Sequence, residues 1–231
     1  MYNGESWLDL NEGKSLKVLT IANRKGGAGK STCAAHFSVE ADRMHLKTIL
    51  IDLDPQKTLE SWWNKREQEN PYLLDTVADE LSQTLEQLKE KGFDLCIIDT
   101  PGDASINTIS GMQAADLVVI PSKPTPADLT AIGRTINLVE ECKKPFIFVI
   151  TQGVTRQKST LQTVSALSRY GAVPPDIITN RTSYASAMGM GVSAADSDPK
   201  AKEEVQNVWQ FIYSRLFEKN LKQKQKLSTI G

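Results

Sequence analysis

Nine residues constrain this chain more than any others: Arg24-Lys25-Gly26-Gly27-Ala28-Gly29-Lys30-Ser31-Thr32. They follow an apolar run with strand character (residues 16–23, LKVLTIAN) and open a stretch, residues 30–44, with helix-forming composition. The small residues Gly26, Gly27, Ala28 and Gly29 let successive backbone N–H groups turn inward around an anion. The positive end of the following helix adds to the same field. Lys30 then reaches toward the distal phosphates of a nucleotide, and the Ser31 hydroxyl is placed to ligate Mg²⁺. The ordinary phosphate loop opens on a glycine where this chain has Arg24. The common pattern is therefore missed by one residue, and a second lysine, Lys25, stands near the front of the loop.

What surrounds the loop sets the fold class. Apolar runs at 16–23, 48–53, 93–99, 117–121, 145–151 and 173–179 alternate with amphipathic stretches at 30–44, 58–68, 77–91, 104–114, 126–142, 158–170 and 199–217. The runs are apolar nearly throughout rather than on every second residue, which is the pattern of strands covered on both faces. Pro126 suits a first helical turn. The alternation predicts an α/β fold, a doubly wound, mostly parallel sheet flanked by helices, with ligands at the carboxyl ends of the strands. Residues 1–15 read as a flexible polar arm, 16–217 as a single domain, and 218–231 as a basic, polar tail.

Carboxylates complete the chemistry. The second strand ends Asp52-Leu53-Asp54-Pro55-Gln56 and the third ends Asp99-Thr100-Pro101-Gly102. Asp52 and Asp54 lie two apart on one strand and share a face. Two like charges that close need a cation, or one of them takes up a proton. Ser31, Asp52 and Asp99 are thus the candidate metal set.

The run KGGAGKST together with DLDPQ resembles the deviant Walker A ATPases of the ParA/MinD family, and the likeness extends over roughly residues 17–216. In that family the front lysine reaches across a nucleotide-dependent dimer to the partner's phosphates, a role that falls here to Lys25. The resemblance makes Lys25, Lys30 and Asp54 the catalytic set, with Asp54 orienting the attacking water and Asp99 holding Mg²⁺. Lys25 to Thr32 would bind ATP, and Asn180 and Arg181 resemble the loop that borders the adenine. One departure is DTPG in place of a double proline. DTPG also occurs in GTPases, but no Asn-Lys-x-Asp follows a later strand to select guanine, so ATP is expected. The segment 120–129 looks like the family's proline-rich stretch. Trp62 and Trp63 resemble the short plasmid-partition ParA subgroup and are expected to pack rather than react.

Charge distinguishes among the family's uses. The chain carries a net charge of −1, with 27 Lys+Arg and 28 Asp+Glu, which on its face argues against nucleic acid. Residues 1–150 hold 16 basic against 22 acidic side chains, however, and residues 151–231 hold 11 against 6. A basic final third suits non-specific contacts to phosphates, as in the DNA-binding members of the family. The candidates are Arg156, Lys158, Arg169, Lys200, Lys202, Arg215 and Lys219, with Arg181 and the tail residues Lys222, Lys224 and Lys226. The expected partners are a second copy of the chain, non-specific DNA, and a ParB-like or other small adaptor that stimulates hydrolysis, at a cytoplasmic, nucleoid-associated location. A related positioning ATPase for a conjugation complex or protein cargo, or a nucleotide-binding scaffold that does not hydrolyse, would use the same loop.

Other functions fit less well. The tail from Leu216 to Leu227 holds four scattered apolar residues, too few for a membrane-binding helix face. Cys33, Cys96 and Cys142 form no CxxC and are not spaced to share an iron–sulfur cluster, and so sparse a set suits a reducing compartment. About twenty residues precede the loop, too few for a helix-turn-helix module, so operator-specific binding is not expected.

Overall fold

The structure, a computed structural model, describes residues 15–228, with side chains described through Phe217. The expected arm lies outside the described residues apart from Ser15. Seven strands, β1 (Lys17–Ile21), β2 (Thr48–Asp52), β3 (Tyr72–Leu74), β4 (Leu95–Asp99), β5 (Leu117–Ser122), β6 (Phe146–Gly153) and β7 (Ile178–Thr179), form one sheet in the order β3-β2-β4-β1-β5-β6-β7. Every pairing is parallel. The helices are α1 (Lys30–Arg43), α2 (Thr58–Trp63), α3 (Leu81–Glu90), α4 (Ile106–Ala114), α5 (Pro126–Glu141), α6 (Lys158–Leu167), α7 (Thr182–Met190) and α8 (Pro199–Ser228).

The continuous apolar runs are explained by helices on both sides. Leu19, Leu50, Leu95, Ile97, Val119 and Val149 face a layer that includes Phe37 of α1, Trp62 of α2, and Trp209 and Ile212 of α8. Their sequence neighbours face the opposite layer. Val18, Ile49, Cys96 and Ile98 meet Leu81 and Leu88 of α3, while Val118, Ile120, Phe148 and Ile150 meet α4, α5 and α6. Burial of this kind stabilises by about 25 cal/mol per Å² of apolar surface, so both faces contribute to the core.

Several elements differ from expectation for local reasons. The strand expected at 173–179 shrinks to β7, because Pro174 and Pro175 lack ladder donors; Ala172 makes an isolated bridge to Ile147 instead. The stretch 58–68 yields only α2, after which the chain passes through Pro71 into β3, a three-residue edge strand. The helix expected at 77–91 starts with a 3₁₀ turn at Ala78–Glu80. The final helix runs past Phe217 to Ser228, since residues 218–228 contain no Gly or Pro and are rich in helix formers.

Candidate functional site

Parallel register gathers the motifs at one edge. Asp52 of β2 and Asp99 of β4 are direct partners, and Asp99 also pairs with Ile21, the last residue of β1. The glycine-rich loop therefore leaves the sheet beside both acids. Gly27 and Gly29 take φ of 71° and 92°, which side chains with a Cβ rarely adopt. The Thr151 hydroxyl of β6 donates to Ala28 O at 2.8 Å, and Gln152 Nε2 donates to Gly27 O at 3.3 Å. Gly102 presses on the loop from the other side: a Cβ there would lie 3.1 Å from Gly26 N and 3.2 Å from Gly26 Cα. The result is a cleft of about 560 Å³ lined by Gly26, Gly27, Gly29, Lys30, Ser31, Thr32, Asp54, Gly102 and Asp103, among others.

The charged groups take distinct roles. Lys30 is buried, and burial pushes its ammonium below the usual lysine range while Asp99, Asp54 and Asp103 pull the other way. Asp99 is fully buried, and among the described residues neither of its carboxylate oxygens has a hydrogen-bond partner. Burial raises its pKa to about 7, with Asp52 and Asp54 adding to the rise and Ser31 and Lys30 opposing it. A buried carboxylate with two idle oxygens beside a hydroxyl is a hard-oxygen donor set, which fits Mg²⁺. Asp52 is engaged elsewhere. Its Oδ1 accepts from the Asp54 amide and its Oδ2 from the Glu60 amide, both at 3.0 Å, so it shapes the loop that carries Asp54. Asp54 itself lines the cleft.

Lys25 is held within its own chain. Its Nζ donates to Asp128 Oδ2 at 2.7 Å, and its amide donates to Asn23 Oδ1 at 2.9 Å. Asn23 is fixed in turn by donation to Pro121 O at 2.7 Å. Asp128 is buried in the first turn of α5, where Thr125 caps the helix and Pro126 occupies the position expected of it.

Beyond Gly29 and Thr32 the cleft continues into a second cavity of about 250 Å³, lined also by Cys33, Thr151, Ile178, Thr179, Asn180, Arg181 and Tyr184. The loop at 179–181 therefore forms part of the wall of this second cavity, next to the phosphate loop. Sequence reasoning missed four supporting residues: Thr151, Gln152, Asp128 and Glu204. Only the position of Thr151 and Gln152 at the end of a strand could have flagged them.

Residues 19–194 match the model of the CobQ/CobB/MinD/ParA nucleotide binding domain. The chain belongs to this family. Among the relatives of this CobQ/CobB/MinD/ParA domain is the protein ParA of Rhizobium radiobacter, 33% identical over 129 residues, which are 54% of this chain. The chain spans only 57% of the length of that relative. The maintenance of carboxysome distribution protein A of Halothiobacillus neapolitanus is 26% identical over 206 residues, covering 84% of this chain and 94% of that protein. Among solved structures, MinD in the MinC:MinD complex of Aquifex aeolicus shares the fold with a TM-score of 0.73 at 17% identity, over 86% of this chain and 96% of that one. An ATP complex of Cyanothece McdA aligns with a TM-score of 0.72 at 19% identity, over 88% and 97%.

In this ParA/MinD-family domain the basic candidates separate. Arg156, Lys158, Arg169, Lys200 and Lys202 are exposed. Arg215 is not free: its guanidinium stacks over Phe211 of its own helix and donates to Phe211 O at 3.2 Å. Arg181 is paired with Glu204 and lies 3.8 Å from Asp198, which removes it from any free positive face. Lys219, Lys222, Lys224 and Lys226 lie outside the described side chains. Trp62 and Trp63 pack as expected, donating to Val192 O at 3.0 Å and Pro71 O at 2.7 Å. Among the described residues no helix is long and apolar enough to cross a membrane.

Proposed function

We propose that this chain is a Mg²⁺-dependent ATPase of the ParA type, whose ATP-bound dimer binds DNA non-specifically and positions a plasmid or comparable large cargo. The observation that carries the reading is that Lys30, Ser31 and Asp54 line one cleft, with the carboxylate of Asp99 buried beside Ser31 and Lys30. Lys30 and the loop amides bind and orient the phosphates, Ser31 and Asp99 hold the metal, and Asp54 positions a water. Magnesium, when bound, neutralises phosphate charge that would otherwise resist attack. Lys25 serves a partner's phosphates in this reading, and to do so it must leave Asp128, a charge-assisted contact of its own chain. The exposed Arg156, Lys158, Arg169, Lys200 and Lys202 supply the DNA contacts, and an adaptor stimulates turnover.

Two substitutions test this. Lys30→Ala is expected to abolish ATP-dependent retention on plasmid DNA, and Asp54→Ala to stop phosphate release while leaving the DNA-bound form trapped. Retention should fall steeply with salt. Unchanged turnover in Asp54→Ala would overturn the hydrolytic role. Equally strong DNA binding without nucleotide would overturn the switch. A second reading, positioning of a protein assembly, is supported by the Halothiobacillus relative, which the chain covers almost throughout. Stimulation of turnover by a small DNA-binding adaptor, or instead by a component of the assembly, separates the two.

A further inference from the structure

The outer wall of the 250 Å³ cavity hangs from a single carboxylate on α8. Glu204 Oε2 accepts from the Thr179 amide at 3.1 Å and the Tyr184 hydroxyl at 2.9 Å. Its Oε1 accepts from Thr179 Oγ1 at 2.7 Å, Arg181 Nε at 2.9 Å and Arg181 Nη2 at 2.8 Å. All three donor residues line the cavity, whereas Glu204 does not. Asp198, at the start of the same helix, takes the Ser183 hydroxyl at 2.9 Å and faces Arg181. Five donors on one carboxylate exceed what a strand end requires, since the Thr179 amide alone would satisfy the backbone. The Arg181 fork is gripped through both Nε and Nη2, which fixes the plane of the guanidinium.

We infer that Glu204 is a positioning residue for the nucleoside part of the ligand: it fixes Thr179, Arg181 and Tyr184 as a preformed wall, and the phosphate loop owes it nothing. The inference rests on the nucleotide reading above and adds a residue and a division of labour. Phosphate affinity comes from residues 25–32, and nucleoside affinity depends on Glu204 of the last helix, far later in the chain. A preorganised wall spares the ligand the cost of ordering it, so loss of the carboxylate is felt only by ligands that carry a nucleoside.

The test compares Mg·ADP with Mg·pyrophosphate by titration calorimetry on the full chain. In the wild type ADP is expected to bind more tightly than pyrophosphate. Glu204→Ala should weaken ADP at least about tenfold, as charge-assisted hydrogen bonds of this kind imply, and leave pyrophosphate within about twofold. Tyr184→Phe, which removes one donor and keeps the ring, should shift ADP in the same direction by less. ADP affinity unchanged in Glu204→Ala, or ADP and pyrophosphate weakened equally, would overturn the inference. If Glu204→Ala does not fold, Tyr184→Phe decides, and an unchanged ADP-to-pyrophosphate ratio overturns it. A wild type that binds pyrophosphate as tightly as ADP overturns it too, with the phosphate site intact. A wild type that binds neither overturns the nucleotide reading itself.

Discussion

Asp99 concentrates the energetic tension of the molecule in one side chain. A carboxylate with no exposed surface and, among the described residues, no hydrogen-bond partner opposes folding in its charged form, a cost that Ser31 and the Lys30 ammonium offset only in part. Asp99→Asn is therefore expected to stabilise the ligand-free protein at pH 8, by about 1–3 kcal/mol, or several degrees in Tm for a chain of this size. The same variant should lose most of the stabilisation that Mg·ADP gives the wild type. A lowered Tm without ligand, read by calorimetry, would show that the carboxylate is already compensated. At this scale the sequence was informative wherever a spacing carries chemistry: Lys30, Ser31 and Asp54 were legible because the loop and DLDPQ place them by count. For Asp52, spacing says that two acids share a face but not that its oxygens accept from the Asp54 and Glu60 amides. Glu204 and Asp128 were illegible, since a lone acid on a helix is an ordinary surface residue until its partners are known.

Between elements, a buried histidine ties α1 to the turn before α8. His36 Nδ1 lies 2.8 Å from Thr32 O and its Nε2 accepts from the Ala194 amide at 3.0 Å, so the ring is neutral with its proton on Nδ1. Burial lowers its pKa to about 4; Thr32 O and Asp196 oppose the shift and Arg43 adds to it, while Tyr184 packs edge-on at 5.1 Å. The unfolded chain takes up this proton near pH 6.5 and the folded chain only near 4. The stability that His36 confers is thus complete above pH 6.5 and drains away between those values. It should amount to about 2 kcal/mol between pH 7 and pH 5. His36→Gln, whose amide can donate at one end and accept at the other, should flatten that part of the profile in urea unfolding at the two pH values; an identical slope would remove His36 as its source. Element type was legible where apolar runs were long, as in β4 and β5. It failed at β3, three residues beside a proline, and at α7, whose single Gly189 between two methionines and small residues give no periodic apolar face. Such elements are ordered by their neighbours: Gly191 packs so tightly on the backbone of Lys65 that a Cβ would lie 2.6 Å away.

For the whole molecule, the order of the sheet sets a timetable. The loop leaves β1, the central strand, but Gly102 follows β4, Thr151 belongs to β6, and Glu204 to α8. Contacts between segments so far apart in sequence are costly to form before the chain has collapsed around them, so the cleft is assembled from parts that close late. A ligand that needs all of them has nothing to hold in the folding transition state. Mg·ADP is accordingly expected to slow unfolding in proportion to its binding energy and to leave the refolding rate nearly unchanged. Stopped-flow chevrons with and without ligand would show this, and a matching acceleration of refolding would place the cleft before the barrier. The fold's central strand thus makes nucleotide a lock on the finished molecule, with no part in its making.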